Sequence, residues 1–324
     1  MCTAISCRMG GHYFGRTLDH THTYGESVVI LPRNCRLPYR FVKPLPRQYA
    51  MIGIAHMAED IPLYYDGVNE KGLAMAGLNF VGNACYDDPE PGKCNVAQFE
   101  LLPWVLTHCA TVREVGELLA RTHVTNTAIS PDYPPAELHW LLADSRDCAV
   151  LEITEEGLHL YPDPVGVLTN NPPFPMQLFR LNDFMGLTDK MGENRFSDRL
   201  NLQVYSRGMG ALGLPGDWSS QSRFVRAAFV KFHACGGNTE AERVGQLFHI
   251  LGAVEMPMGC CSAEDGSQMH TVYTSCCNAE KGIYYYTSYH NRQITAVELH
   301  REDLNGTVPQ IYPLQTQEQI AWGN

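Results

Sequence analysis

Short apolar runs dominate the first eighty residues. Thr3–Cys7, Tyr13–Leu18, Ser27–Leu31, Met51–Ala55 and Gly72–Phe80 are separated by Gly, Pro and Asn, which predicts strands joined by turns. The pattern then changes. Gln98–Cys109 is apolar-rich, and Thr111-Val-Arg-Glu114 has the form of a capping box opening Val112–Arg121, so a helix pair is expected. Leu138–Ala143, Cys148–Ile153 and Leu158–Tyr161 return to strand pattern, with Asp144-Ser145-Arg146-Asp147 and Glu156-Gly157 as the hairpin turns. A second helical block follows. Pro175 suits a helix first turn, Arg223–His233 has helical spacing, and Thr239-Glu-Ala-Glu242 is another capping box. Met269–Ser275, Gly282–Ser288 and Ile294–Leu299 close the chain as strands.

Strands, helix pair, strands, helix pair, strands is a grouped order, which disfavours a doubly wound parallel sheet. Two packed antiparallel sheets with helices on both outer faces would bury every apolar face, so the expected class is α+β in four layers. No Pro/Gly/Ser linker, low-complexity tract or repeat divides the chain, and residues 1–324 are read as a single domain.

Composition narrows the function classes. With 44% hydrophobic and 18% charged residues the chain is of ordinary globular make-up. A net charge of -11, without any Lys/Arg run, argues against nucleic-acid binding. No apolar run approaches the roughly 20 residues that span a bilayer. The N-terminus lacks a basic region followed by an apolar one, so no secretory signal is read and a cytoplasmic location is expected. In that compartment the twelve cysteines are expected as thiols, and the sequon Asn305-Gly306-Thr307 carries no consequence. Cys260-Cys261 and Cys276-Cys277 are adjacent pairs rather than zinc-type C-x-x-C spacings.

Cys2 carries the most chemistry. A small residue after Met is what aminopeptidases expose, and removal of Met1 would place a thiol and a free α-amine on one residue. An ordinary thiol titrates at about 8.5 and an α-amine at about 7.7–8.0. The amine can therefore accept the thiol proton directly or through one water, and no separate histidine is needed. A second-position cysteine alone is often incidental, so its neighbours matter. Tyr13-Phe14-Gly15-Arg16-Thr17-Leu18-Asp19 follows on the next strand. Arg16 and Asp19, three apart, fall on opposite faces, with Arg16 suited to a thiolate and Asp19, near the strand end, to an ammonium. Gly77-Leu78-Asn79-Phe80 and Val167-Leu168-Thr169-Asn170 each end an apolar run on Asn, whose amide is a suitable oxyanion donor and is equally common in turns.

These segments resemble the choloylglycine hydrolases, the bile salt hydrolase and penicillin V acylase family. The resemblance is carried by Met1-Cys2-Thr3, Phe14-Gly15-Arg16-Thr17-Leu18-Asp19, Asn69-Glu70-Lys71-Gly72-Leu73, Gly77-Leu78-Asn79-Phe80 and Leu168-Thr169-Asn170. Leu214-Pro215-Gly216-Asp217, Ser222-Arg223-Phe224-Val225-Arg226 and Glu280-Lys281-Gly282-Ile283-Tyr284-Tyr285-Tyr286 extend it almost end to end. Thr17 departs from the Asn common in the family, at a position without a catalytic role in the pattern.

The resemblance implies an αββα sandwich of the N-terminal-nucleophile type, usually a homotetramer. It implies Cys2 as nucleophile, Arg16 beside its sulfur, Asp19 orienting the α-amine, Asn79 and Asn170 as oxyanion positions, and Arg223 as a supporting arginine. It implies conjugated bile salts as substrates, acyl transfer to amines as a side activity, and no cofactor. Asn79 resembles the bile salt branch, where the penicillin branch tends to carry Tyr; penicillin V is the alternative substrate. A thiol-rich or zinc-binding protein is the alternative of another class. Ser206-Arg207-Gly208 lies where the family carries a selectivity loop, and the planar fork of Arg207 suits the three oxygens of a taurine sulfonate. His20-Thr21-His22 has no third ligand nearby and reads as a solvated loop.

Overall fold

The structure, a computed structural model, describes residues 1–43, 48–58 and 61–324. In chain order its strands begin with β1 (Cys2–Arg8), β2 (His12–His20), β3 (Ser27–Leu31), β4 (Met51–Ala58), β5 (Ile61–Tyr64), β6 (Asp66–Asn69), β7 (Ala74–Asn79) and β8 (Cys94–Ala97). Helices α1 (Leu101–His108) and α2 (Val112–Leu119) follow, then β9 (Thr122–Thr125), β10 (Leu138–Ala143), β11 (Cys148–Thr154), β12 (Gly157–Pro162) and β13 (Val167–Leu168). Next come α3 (Phe174–Arg180), α4 (Ser220–His233) and α5 (Glu240–Gly252), and the chain closes with β14 (His270–Asn278), β15 (Ile283–Ser288), β16 (Asn291–Glu298) and β17 (Gln310–Pro313).

One antiparallel sheet has the order β13-β1-β2-β14-β15-β16. The other runs β12-β11-β10-β7-β6-β4-β3-β17, with β5 paired to β4. Residue parity shows how they stack. Val28 and Ile30, Ala74, Ala76 and Leu78, and Leu141 and Ala143 join a core that also holds Ile5, Tyr273, Phe224 and Leu247. Their strand neighbours Val29 and Leu31, Leu73 and Met75, and Trp140 and Leu142 join a second core with Leu101, Val105 and Val115 from α1 and α2. Alternating side chains point to opposite faces. The second sheet therefore buries one face against the first sheet and the other against α1 and α2, while α4 and α5 cover the far side of the first. These are the four layers of the αββα sandwich.

The helix starts show how local chemistry sets boundaries. Thr239 accepts from the Glu242 amide while Glu242 reaches back to the Thr239 amide, the full capping box expected. At α2 the expectation holds only by half. Thr111 caps the Glu114 amide, but the Glu114 carboxylate turns to the Ala110 amide, and Asp144 Oδ2 satisfies Val112 instead. The sequence pattern missed β5, β6, β8, β9, β13 and β17, which are short and lack an alternating run of their own, and it began the β7 run at Gly72, a turn residue with φ +89° two positions before the strand starts.

Candidate active site

Cys2 opens β1, the strand flanked by β13 and β2 at the centre of the αββα stack, and is buried. The β1–β13 register pairs Ala4 with Leu168; continued two residues outward, it brings Asn170 opposite Cys2. The Cys2 nitrogen donates to Asn170 Oδ1 at 2.8 Å. Because Met1 is still attached, that nitrogen is a peptide amide standing where the α-amine would lie, and the Met1 ammonium donates to the Asp19 carbonyl at 2.7 Å.

Asn170 is committed on every side. Its Oδ1 also accepts from Arg223 Nη2 at 2.7 Å, and its Nδ2 donates to the Asn79 carbonyl at 2.8 Å. Two donors on one atom and an acceptor on the other fix the amide orientation. Arg223, fully buried on α4, also donates to Thr3 Oγ1 at 2.8 Å and to the carbonyls of Cys2 and Trp218. Burial pushes its guanidinium below the usual range, against the pull of Asp19 and Cys2.

Arg16 points from β2 towards the second sheet, where Nη1 donates to the carbonyls of Tyr65 and Gly77 at 2.9 and 2.7 Å. Its Nη2 has no hydrogen-bond partner among the described residues. Burial opposes this charge most strongly, yet Cys2, Tyr273, Asp66 and Tyr284 together hold the guanidinium above its ordinary range. Asp66, fully buried on β6, is taken up mainly by burial; Ser275 donates to it at 2.9 Å, and Tyr284 donates as well. Asp19 accepts from Thr271 Oγ1 at 2.6 Å, at a β-bulge in β14, and its Oδ2 has no partner among the described residues.

Cys2, Arg16, Asp19 and Asn79 line one cavity of about 330 Å³, within the range of small-molecule sites. Leu18, Leu63, Phe99, Ile129, Tyr133 and Leu138 supply apolar wall around them. Other thiols are placed differently. Burial pushes Cys7 up to about 11 and Cys109 up to about 12, and Cys276 and Cys277 well above the ordinary thiol, which disfavours the nucleophilic thiolate there. Among the described residues no group of three or more His, Cys, Asp or Glu is placed to hold a metal ion.

Six of the seven residues singled out in the sequence thus meet around Cys2. The seventh, Arg207, does not. It is exposed in the segment after Leu200, and it is absent from the lining of the Cys2 cavity of its own chain. Asn79 and Asn170 are placed differently: Asn79 lines the cavity, while Asn170 gives one of its two amide N–H groups to the Asn79 carbonyl. His20 is no purely solvated loop residue either: it lines the cavity and packs edge-on against His22 and Tyr24, and Tyr24 stacks on His56 at 5.1 Å. Asp66 and Thr271 were not found from the sequence. Each acts through a cross-strand or cross-sheet contact, and neither stands in a local motif.

An αββα sandwich that carries a thiol-bearing residue at the start of a strand in one of its two inner sheets is the arrangement of N-terminal-nucleophile hydrolases. The profile of the "Linear amide C-N hydrolases, choloylglycine hydrolase family" matches residues 2–312, and the chain belongs to that family. It is 48% identical over 319 residues to the bile salt hydrolase/transferase of Lactiplantibacillus plantarum, covering 98% of each chain. It is 36% identical to the bile salt hydrolase/transferase of Clostridium perfringens over 96% of each. The C2A mutant of the conjugated bile acid hydrolase from Clostridium perfringens superposes with a TM-score of 0.93 over 100% of both chains at 34% identity. Penicillin V acylase from Agrobacterium tumefaciens shares the fold at a TM-score of 0.75, 19% identity and coverage of 96% and 90%.

Proposed function

We propose that this chain hydrolyses the amide bond of glycine- or taurine-conjugated bile salts through a Cys2 thioester. The observation that carries the reading is the placement of Cys2: its nitrogen is held by Asn170, Arg16 lies in front, and an apolar cavity opens beside it. Removal of Met1 would turn that nitrogen into an amine held by Asn170 Oδ1, and Asp19, whose Oδ2 has no partner among the described residues, lines the same cavity and favours its protonated form. The amine takes the thiol proton while sulfur attacks the substrate carbonyl. The developing oxyanion meets the Asn79 side chain, the amide of the Asn pair that lines the Cys2 cavity. Collapse transfers the proton from the ammonium to the leaving nitrogen and releases glycine or taurine. Water then attacks the thioester, its proton passing to the amine, and the acid departs with the thiol restored. An amine in place of water would form a new amide, so acyl transfer is the accompanying reaction.

The apolar wall suits a steroid acid chain, and the relative at 48% identity is a bile salt hydrolase/transferase. The measurement that checks this is kcat/KM on glycocholate, taurocholate and penicillin V, with EDTA present and absent. Bile salts are expected to exceed penicillin V by at least about tenfold, and EDTA is expected to have no effect. A reversed order would assign the protein to the acylase branch, and loss on chelation restored by zinc would favour a metal centre. Iodoacetamide is expected to inactivate the enzyme with mass added to the Cys2 peptide, and substrate to protect it. Inactivation that follows alkylation of the exposed Cys235 or Cys260 instead would contradict the assignment.

No helix of the described residues is long and apolar enough to cross a membrane, and the expected compartment is the cytoplasm. A homotetramer is the expected assembly. Its support is the set of exposed apolar side chains Phe179, Met185, Phe196, Tyr205 and Leu212 within residues 179–212, which a partner copy would cover. That same segment carries Arg207, so a partner copy covering it would place Arg207 at a subunit contact. Arg207→Ala is expected to lower the taurocholate to glycocholate ratio of kcat/KM by about threefold while sedimentation still reports a tetramer. An unchanged ratio removes Arg207 from substrate selection.

A further inference from the structure

Asn170 anchors the Cys2 nitrogen, and its own anchorage leads to a buried pair that the mechanism does not use. The peptide between Thr169 and Asn170 is gripped at both polar ends. Its N–H donates to Ser220 Oγ at the start of α4 at 2.8 Å, and its carbonyl faces His139 Nε2 on β10 at 2.8 Å. The other ring nitrogen, His139 Nδ1, lies 3.0 Å from Glu152 Oε1 on β11, an atom that also accepts the Phe174 amide at 2.8 Å. Both residues are buried, and the imidazole stacks on Phe80 at 4.3 Å with an interplanar angle of 8°.

A carbonyl oxygen only accepts, so the bond to Thr169 requires a proton on Nε2. The Nδ1–Oε1 contact requires a second proton between its two atoms, whichever of them holds it. The ring is thus fixed in rotation by Glu152 and in plane by Phe80, and its Nε2–H is aimed at one peptide. That peptide cannot rotate without breaking two bonds, and its rotation is what would swing the Asn170 side chain away from Cys2.

We propose that His139, fixed by Glu152, is a positioning residue for Asn170 and hence for the Cys2 amine. This rests on the Cys2 reading above. A residue acting through geometry is expected to change kcat far more than KM, because a displacement of about 1 Å at the reacting groups can cost on the order of 100-fold in rate. His139→Leu is expected to lower kcat by about 10- to 100-fold with KM moved less than about threefold. His139→Gln, whose amide can still donate to the Thr169 carbonyl, is expected to recover about tenfold of that loss. Each is assayed beside Cys2→Ala on full-length enzyme.

A folded His139→Leu protein with kcat near wild type, while Cys2→Ala is inactive, overturns the proposal and leaves the Cys2 reading intact. An active Cys2→Ala overturns the Cys2 reading itself. The 15N spectrum of histidine-labelled wild-type protein gives a check that does not depend on a variant folding. The proposal requires the His139 Nε2 resonance to be of the protonated type, and a bare-nitrogen resonance there would reject it.

Discussion

Replacing Cys2 by serine is expected to lower bile salt hydrolysis by about 10³-fold or more, with the protein folded and Met1 still removed. The reason lies in the nucleophile. A hydroxyl at neutral pH supplies almost no oxyanion, whereas a thiol beside an amine of nearly matched proton affinity supplies a thiolate readily. The site itself would be little disturbed, since the bonds from Cys2 to Asn170 and Arg223 are made by backbone atoms that serine retains. Stopped assays of glycine and taurine release, with mass spectrometry of the N-terminus, check both halves. Fully active wild-type enzyme carrying Met1 would defeat the mechanism, because the amine would then belong to the wrong residue.

Asn170→Ala is expected to cost both activity and stability, each for a separate physical reason. The variant removes the acceptor of the Cys2 nitrogen, one acceptor of the buried Arg223, and the donor to the Asn79 carbonyl. A buried guanidinium that loses a partner is expensive, and the stability loss is expected at about 3 kcal/mol, read from urea unfolding. The amine and the Asn79 amide lose their mutual placement, so kcat is expected to fall by on the order of 100-fold. A stable, fully active Asn170→Ala protein would show that the amine needs no such anchor. Asn170→Asp separates the two effects. It keeps an acceptor for Arg223 and Cys2 but loses the donor to Asn79, so it is expected to recover more stability than activity.

The largest strands and the helix pairs were legible in the chain because their signals are local. Ser27–Leu31 and Leu138–Ala143 are apolar runs bounded by breakers, and they appear in the fold with the bounds their pattern predicts. The helix start at Thr239 is written in four consecutive residues. Cys2, Arg16 and Asp19 were legible as chemistry because they sit within twenty residues at the N-terminus, and the order of motifs tied Asn79, Asn170 and Arg223 to them. The short strands β8 and β9 were not, since a four-residue strand that pairs in parallel with a distant one has no period to detect.

The sequence by itself determined the class of chemistry: a thiol at position 2, no metal-ligand spacing, and three sets of strands alternating with two sets of helices. Tertiary structure alone decided which atoms do what. Asn79 and Asn170 look equivalent in the chain, yet the β1–β13 register brings Asn170 to the Cys2 nitrogen while Asn79 ends β7 on the cavity wall. Arg207 and Arg223 are both arginines in loop-to-helix country, and only α4 packing against β1 turns one of them inward. Asp66, Thr271, His139 and Glu152 carry no motif because each is defined by a partner at least a dozen residues away. Hydrogen bonds and desolvation act over a few ångströms in space, whereas a sequence pattern records only neighbours along the chain. The site is therefore readable as a set of residues and becomes a mechanism only where the two sheets meet.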